Sequence, residues 1–180
     1  MAAPLTPPPL TPTRRQLVAV WCIAAVIFGA LLVLARATES GLDDPDPARQ
    51  RHGFLDGGGL PQPASAVTAG LPRPGRRAVV FFVRPDGVSE LCRALAGRDL
   101  RSLADLVVVV SGEGLCEGIP TVNDPGGGLA RAYGLRRPRA GGPPVGYSVV
   151  DSRGVIRYRT LDPTVADELG EVHTIVRATP

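Results

Sequence analysis

Hydrophobic positions divide the chain of 180 residues into an uncharged block near its start, a long stretch with no period, and a series of short apolar runs. From Leu17 to Ala35 there are 19 residues without a charge, close to the roughly 20 that an α-helix needs to cross a bilayer. The block predicts a single transmembrane helix over 17–36, preceded by a disordered tail at 1–16. Residues 37–75 carry Pro45, Pro47, Gly57, Gly58, Gly59, Pro61, Pro63, Pro72 and Pro74 and no sustained period. Such a composition predicts an extended Pro/Gly-rich tether. Residues 76–180 then hold the periodic segments and predict one domain.

Within that domain, Ala78 to Val83 is a continuous apolar run, the mark of a strand covered on both faces of a sheet. Pro85, Asp86 and Gly87 stop it. Val88, Leu91, Cys92 and Leu95 follow at i, i+3, i+4 and i+7, one face of a helix. Asp105 to Val110 predicts a second buried strand, closed by a loop that carries Leu115 and Cys116. Ile119 to Val122 adds a short extended piece. Asp124 and Pro125 predict a cap followed by proline at the first helical position, with Leu129, Ala132 and Tyr133 as the apolar face and Gly134 as the stop. Arg136 to Pro144 reads as a loop. Tyr147 to Val150 and Val155 to Thr160 predict a hairpin turning at Asp151 to Gly154. Asp162 and Pro163 predict the start of a last helix that buries Val165, Leu169, Val172 and Val176. A strand-helix-strand opening, a hairpin and a closing helix imply an α/β fold, a central mixed sheet with helices on both faces.

Charge changes this picture little within the domain. The formal net charge is +3, all 20 basic residues are arginine, and neither amount nor distribution argues for nucleic acid. Arg136, Arg137 and Arg139 form a short cluster without interleaved aromatics and read as a solvated loop. Near the apolar block, charge sets the topology. Arg14 and Arg15 precede it, whereas Glu39, Asp43, Asp44 and Asp46 follow, so the positive-inside rule puts the N-terminus in the cytoplasm and the domain outside. The expected location is therefore the plasma membrane, single-pass. A cleaved signal peptide is the alternative, because Ala35-Arg36-Ala37 makes an A-x-A site and would leave the domain secreted; hydrophobic regions of such signals run to about 7–15 residues, shorter than this one.

Of the three cysteines, Cys22 lies in the apolar block and the other two in the domain, where an oxidising compartment permits a disulfide. The helix cap decides what Cys92 can do. With Ser89 as N-cap, Cys92 falls in the first turn, where unpaired N–H groups and the helix dipole favour thiolate. With Asp86 as cap it lies a turn deeper and packs as a small core residue. His52 and His173 have no suitably spaced ligand partners, so no metal is expected, and no cofactor is implied.

Pro85, Ser89 and Cys92 stand as P-x-x-x-S-x-x-C, preceded by VVFF and followed in order by VVVVSG, NDPGGGLARAYGL and YSVVDSRGVIRY. Over residues 78–178 this set resembles the peroxiredoxin-type branch of the thioredoxin-like superfamily, the alkyl hydroperoxide reductase and thiol-specific antioxidant group. The resemblance implies a thioredoxin-like fold. It also implies Cys92 as the nucleophile toward a peroxide, Ser89 as hydrogen-bonding partner of peroxide and thiolate, and Pro85 as a shield against water. Cys116 would be the resolving thiol, since loops after two parallel strands leave the same sheet edge. Pro143 or Pro144 is the candidate for the fold's cis-proline, against a proline-rich loop with trans bonds. The family's arginine before the third strand is replaced by Gly142 to Gly146, with Arg139 and Arg157 as candidate substitutes. Ser89-Glu90-Leu91-Cys92 stands where related disulfide reductases have C-x-x-C. Three functions stay open on these residues: a peroxidase, a thiol-disulfide exchange protein acting on a protein partner, and a non-catalytic domain with a structural cysteine pair.

Overall fold

The computed structural model describes residues 14–37, 44, 46–68 and 70–180, without the side chains of Arg15 and residues 32–37. Most of the expected tail, at 1–13, and positions 38–43, 45 and 69 of the expected tether lie outside the described residues. The chain forms two units, Met1–Gly41 and Leu42–Pro180.

The first unit contains helix α1, Arg14–Ala37. Leu17, Val20, Trp21, Val26, Phe28 and Leu31 are all exposed on it. Among the described residues no helix is long and apolar enough to cross a membrane; the expected span runs on into positions whose side chains lie outside the description.

The second unit is built around β2, Ala78–Val83, every residue of which is buried. The cause is its central place. β3, Asp105–Val110, pairs with it in parallel from Ala78↔Asp105 to Val83↔Val110, and β5, Gly146–Val150, pairs antiparallel on the other side. The hairpin partner β6, Val155–Leu161, continues the sheet, with a register shift at Val149/Val150. A short β4, Thr121–Asn123, runs parallel to β3, and β1, Gln62–Pro63, closes the far edge against β6. The strand order is β1-β6-β5-β2-β3-β4. Its inner four, β6-β5-β2-β3 with only β5 reversed, make the mixed sheet of a thioredoxin-like fold.

Alternation along β2 feeds two cores. Val79, Phe81 and Val83 pack with Leu91 and Leu95 of α2, Val88–Ala96, and with Leu169, Val172 and Val176 of α4, Leu169–Ala178. Ala78, Val80 and Phe82 face the other side, toward Ala130 of α3, Gly128–Ala132, and toward Tyr133 and Leu135. Phe82 and Tyr133 meet at 5.6 Å between ring centroids. Fully burying one such large side chain stabilises by about 1.5–3 kcal/mol. At Gly146 the backbone passes so close to the Thr160 carbonyl that a Cβ has no room.

Several expectations are corrected. The segment predicted as an extended tether over 37–75 is held to the domain at several of its described residues. Phe54 O accepts from the Thr160 hydroxyl at 2.6 Å, Ser65 O from the Tyr133 hydroxyl at 2.7 Å, and Val67 is buried in the second core. Arg159 on β6 is buried against Asp56, with Nε 3.1 Å from Oδ2, and its guanidinium also bonds Gln62 and the Gly58 carbonyl. The sheet edge that proline-rich sequence covers is one the periodic segments leave unpaired.

The two aspartate-proline pairs do not start helices as expected. Asp124 accepts from the N–H groups of Gly128, Leu129 and Ala130 at 2.8, 2.9 and 3.2 Å, so α3 begins three residues past Pro125, behind the left-handed Gly127. Its buried residue is Ala130 rather than Ala132. Asp162 instead binds the Thr164 N–H and hydroxyl in a local turn, and α4 starts at Leu169. A short carboxylate that can bond backbone two residues on makes a turn as readily as a helix start.

Candidate active site

Both cysteines of the domain sit where β2 and β3 end. These strands are parallel and in register, so their C-terminal loops leave one edge, and Ser111 N–H extends the ladder to the Val83 carbonyl at 3.0 Å. Proline at position 85 has no N–H to continue pairing, and Pro85–Gly87 forms a single 3-10 turn that leads into α2. Across it, Gly112 is in close approach, with its Cβ position only 2.9 Å from Pro85 Cγ; that of Gly114 lies 3.0 Å from Val88 Cγ2. Glycine at these two places lets the β3 loop lie against the start of α2, and Cys116 is thereby delivered to Cys92.

The two form a disulfide with 5.5 Å between their Cα atoms, 24 residues apart in sequence. The surroundings are asymmetric. Cys92 is half-buried on α2, while Cys116 is 2% exposed and belongs to the first core beside Val110 and Ile119. Thr121 holds the buried partner in place: its Oγ1 accepts from Cys116 N–H at 3.0 Å and donates to the Ile119 carbonyl at 3.0 Å, and Ile119 N–H returns to the Cys116 carbonyl at 3.1 Å. No motif singled out Thr121. Its one signal is a hydroxyl residue directly after Pro120, opening the third parallel strand.

Neither proposed cap is used. Gly87 occupies the cap position of α2, without a side-chain hydrogen bond, and Ser89 is the second residue of the helix, exposed. Cys92 is the fifth, past the turn whose N–H groups are free, which matches the deeper placement expected for an Asp86 cap. Pro85 is itself exposed and touches the Cys116 loop at Gly112.

The candidate substitute arginines are committed elsewhere. Arg139 pairs with Asp46 at 3.0 Å and Arg157 with Asp151 at 2.7 Å. Arg84, which the sequence did not single out, instead reaches the loop before β5, with one guanidinium nitrogen 3.5 Å from the Pro143 carbonyl and Nε buried without a partner among the described residues. The expected cis-proline is not at 143 or 144. Among the described residues the cis bonds are Leu60–Pro61 and Leu71–Pro72.

Buried titratable groups serve the scaffold. Burial raises the Tyr133 and Tyr147 phenols well above their ordinary range, and the hydrogen bond from Tyr147 to Glu171 at 2.7 Å adds to it. Arg73 lowers the Asp105 carboxyl by hydrogen bonding and charge. At Asp151 burial opposes ionisation, yet the Val155 and Arg153 N–H groups and Arg157 outweigh it and hold the carboxyl below its ordinary range. Among the described residues no group of His, Cys, Asp or Glu is arranged to hold a metal.

No protein-family model matches the chain, and no curated protein matches it significantly. Solved structures similar to it include DsbF of MTB in mixed oxidized and reduced forms, at 16% identity over 57% of this chain and 82% of that one, with a TM-score of 0.40. The bacterioferritin comigratory protein of Xanthomonas campestris is similar at 17% identity over 58% of this chain and 77% of its own, with a TM-score of 0.44. A secreted Mycobacterium tuberculosis disulfide oxidoreductase homologous to E. coli DsbE is similar at 15% identity over 64% and 96%, with a TM-score of 0.41. The fold assignment rests on the strand order of this chain.

Proposed function

We propose that the protein is a membrane-anchored, extracytoplasmic thiol oxidoreductase in which Cys92 attacks a peroxide and Cys116 resolves the product. The observation that carries this reading is the asymmetric pair: two cysteines far apart in sequence bonded at one sheet edge, one half-exposed and one buried. In the reaction, the Cys92 thiolate attacks one peroxide oxygen, the O–O bond breaks, and the other oxygen leaves as an alcohol or water after taking a proton. Cys92 is then a sulfenic acid. The Cys116 thiol condenses with it, forming the disulfide and releasing water, and two electrons from an external dithiol restore both thiols. In this reading Ser89, exposed one helical turn before Cys92, offers a hydroxyl to the incoming peroxide once Cys92 is reduced. The anchor is α1 with its exposed apolar side chains, and Arg14 and Arg15 keep its start in the cytoplasm.

A second reading, thiol-disulfide exchange with a protein partner, is favoured by the commitment of Arg139 and Arg157 to aspartates. Exchange needs an accessible sulfur and no thiolate-stabilising arginine. The deciding experiment reduces the full chain, adds one equivalent of hydrogen peroxide, and follows both thiols by mass spectrometry, with Cys92→Ser as control. A Cys92 sulfenate that converts rapidly to the Cys92–Cys116 disulfide supports the peroxidase. A disulfide that forms slowly with peroxide but rapidly with an oxidised protein dithiol moves the function to exchange. Equal slowness with every oxidant leaves a structural bridge.

A further inference from the structure

The sheet face opposite the disulfide carries a cleft of about 530 Å³ at the same C-terminal edge. That size lies within the range of small-molecule sites. Its floor is apolar, made by Phe82 of β2, Val109 of β3, Ala130 of α3 and Leu135, and one wall is the Gly142 to Pro144 loop. Polar groups enter it unevenly. The cationic side chains are Arg131 and Arg137. Among the described residues, Arg131 gives one N–H to the Gly126 carbonyl at 2.7 Å and has no carboxylate partner, and Arg137 is exposed with neither ion pair nor hydrogen bond. The one anionic lining residue, Asp124, spends its carboxylate on the three N–H groups that start α3. Ser111 also lines the cleft, and its hydroxyl is buried without a hydrogen-bond partner among the described residues. A buried hydroxyl in that state is destabilising unless something bonds it.

We propose that this cleft binds a small organic anion, a carboxylate on an apolar body, with the body over Phe82, Val109, Ala130 and Leu135 and the carboxylate between Arg131 and Arg137. An apolar body accounts for the floor, and a single negative charge for two guanidinium groups without carboxylate partners; planar guanidinium matches carboxylate in a two-bond fork. Ser111 supplies the remaining donor. This site is separate from the cysteines, but Ser111 opens the loop that ends at Cys116, so one short segment borders both.

The experiment is a titration of the full chain in detergent micelles with benzoate, with benzyl alcohol as the neutral match and inorganic phosphate as the bodiless anion, read by NMR shifts of the Ser111, Ala130 and Leu135 amides. The expected result is saturable shifts with benzoate. Benzyl alcohol and phosphate each bind at least tenfold more weakly. Arg137→Gln weakens benzoate at least tenfold, Arg137→Lys restores part of it, and Arg98→Gln, an exposed arginine away from the cleft, changes nothing. Arg137 makes no contact that the fold needs, so the variant reports binding and not folding. Benzyl alcohol binding as well as benzoate, phosphate as well as benzoate, or Arg137→Gln without effect each overturns the proposal. Failure leaves the cysteine chemistry untouched, since peroxide oxidation of the same sample is read separately.

Discussion

Reduction of the Cys92–Cys116 bond is the perturbation whose size the structure sets most directly. The bridge closes a loop with a sequence separation of 24. In the chain-entropy treatment that restriction of the unfolded state amounts to about 3.5 kcal/mol at 25 °C. Little in the native state offsets it. Cys116 is 2% exposed within the first core, and the loop's hydrogen bonds to Thr121 and Ile119 use backbone and hydroxyl groups rather than the sulfurs. The reduced domain is therefore expected to remain folded but to unfold at lower urea, by about 2 M for a slope of roughly 2 kcal/mol per M. By linkage the same free energy makes the bond about 75 mV harder to reduce in the folded chain than in the unfolded one. Urea unfolding followed by circular dichroism, with and without a phosphine reductant, measures the first quantity, and equilibration with a dithiol buffer measures the second. A stability difference under about 1 kcal/mol would refute the loop-entropy reasoning. Unfolding on reduction would refute the claim that the core around Cys116 stands by itself, and with it any role for the pair in a redox cycle.

Two further expectations concern the scaffold. Asp56→Ala leaves Arg159, 5% exposed, with only Gln62 and the Gly58 carbonyl; losing one partner of a buried pair costs about 3–5 kcal/mol, moderated here by those remaining acceptors to about 2–4, read as a fall in thermal midpoint. An unchanged midpoint would mean that residues 46–68 do not belong to the folded unit. The second is acid sensitivity. Asp105 and Asp151 both titrate below their ordinary range in the fold, so their stabilisation is complete above the unfolded value of about 3.9 and is lost as pH falls through the lower folded values. Urea midpoints taken from pH 6 down to pH 3 should drop below about pH 4, and Asp151→Asn should flatten that decline.

The buried strands, the hairpin and the apolar faces of α2 and α4 were legible because each depends on local period alone. Val79, Phe81 and Val83 alternate with Val80 and Phe82, and any sheet that places β2 centrally must bury both sets. Helix starts were less legible. Asp124 and Asp162 carry the same Asp-Pro signature and differ only in what their carboxylates find: three helical N–H groups in one case, a threonine two residues on in the other. The proline-rich segment misled for a related reason. Composition shows that a stretch lacks period, but not that an unpaired strand lies within reach of it. Asp56 and Gln62 are ordinary polar residues until β6 brings Arg159 between them.

The sequence by itself determined the order of strands and helices within residues 76–180, the apolar block near the start of the chain and the two cysteines of the domain, since all are properties of one stretch read in isolation. Tertiary structure decided what those residues meet. Parallel pairing of β2 and β3 brought the ends of two strands to one edge, and Gly112 and Gly114 let their loops touch, so that Cys92 and Cys116 became bonded neighbours. The arginines named from sequence went to Asp46 and Asp151. Where a side chain's partner lies depends on the path of the whole chain, and no local period encodes it.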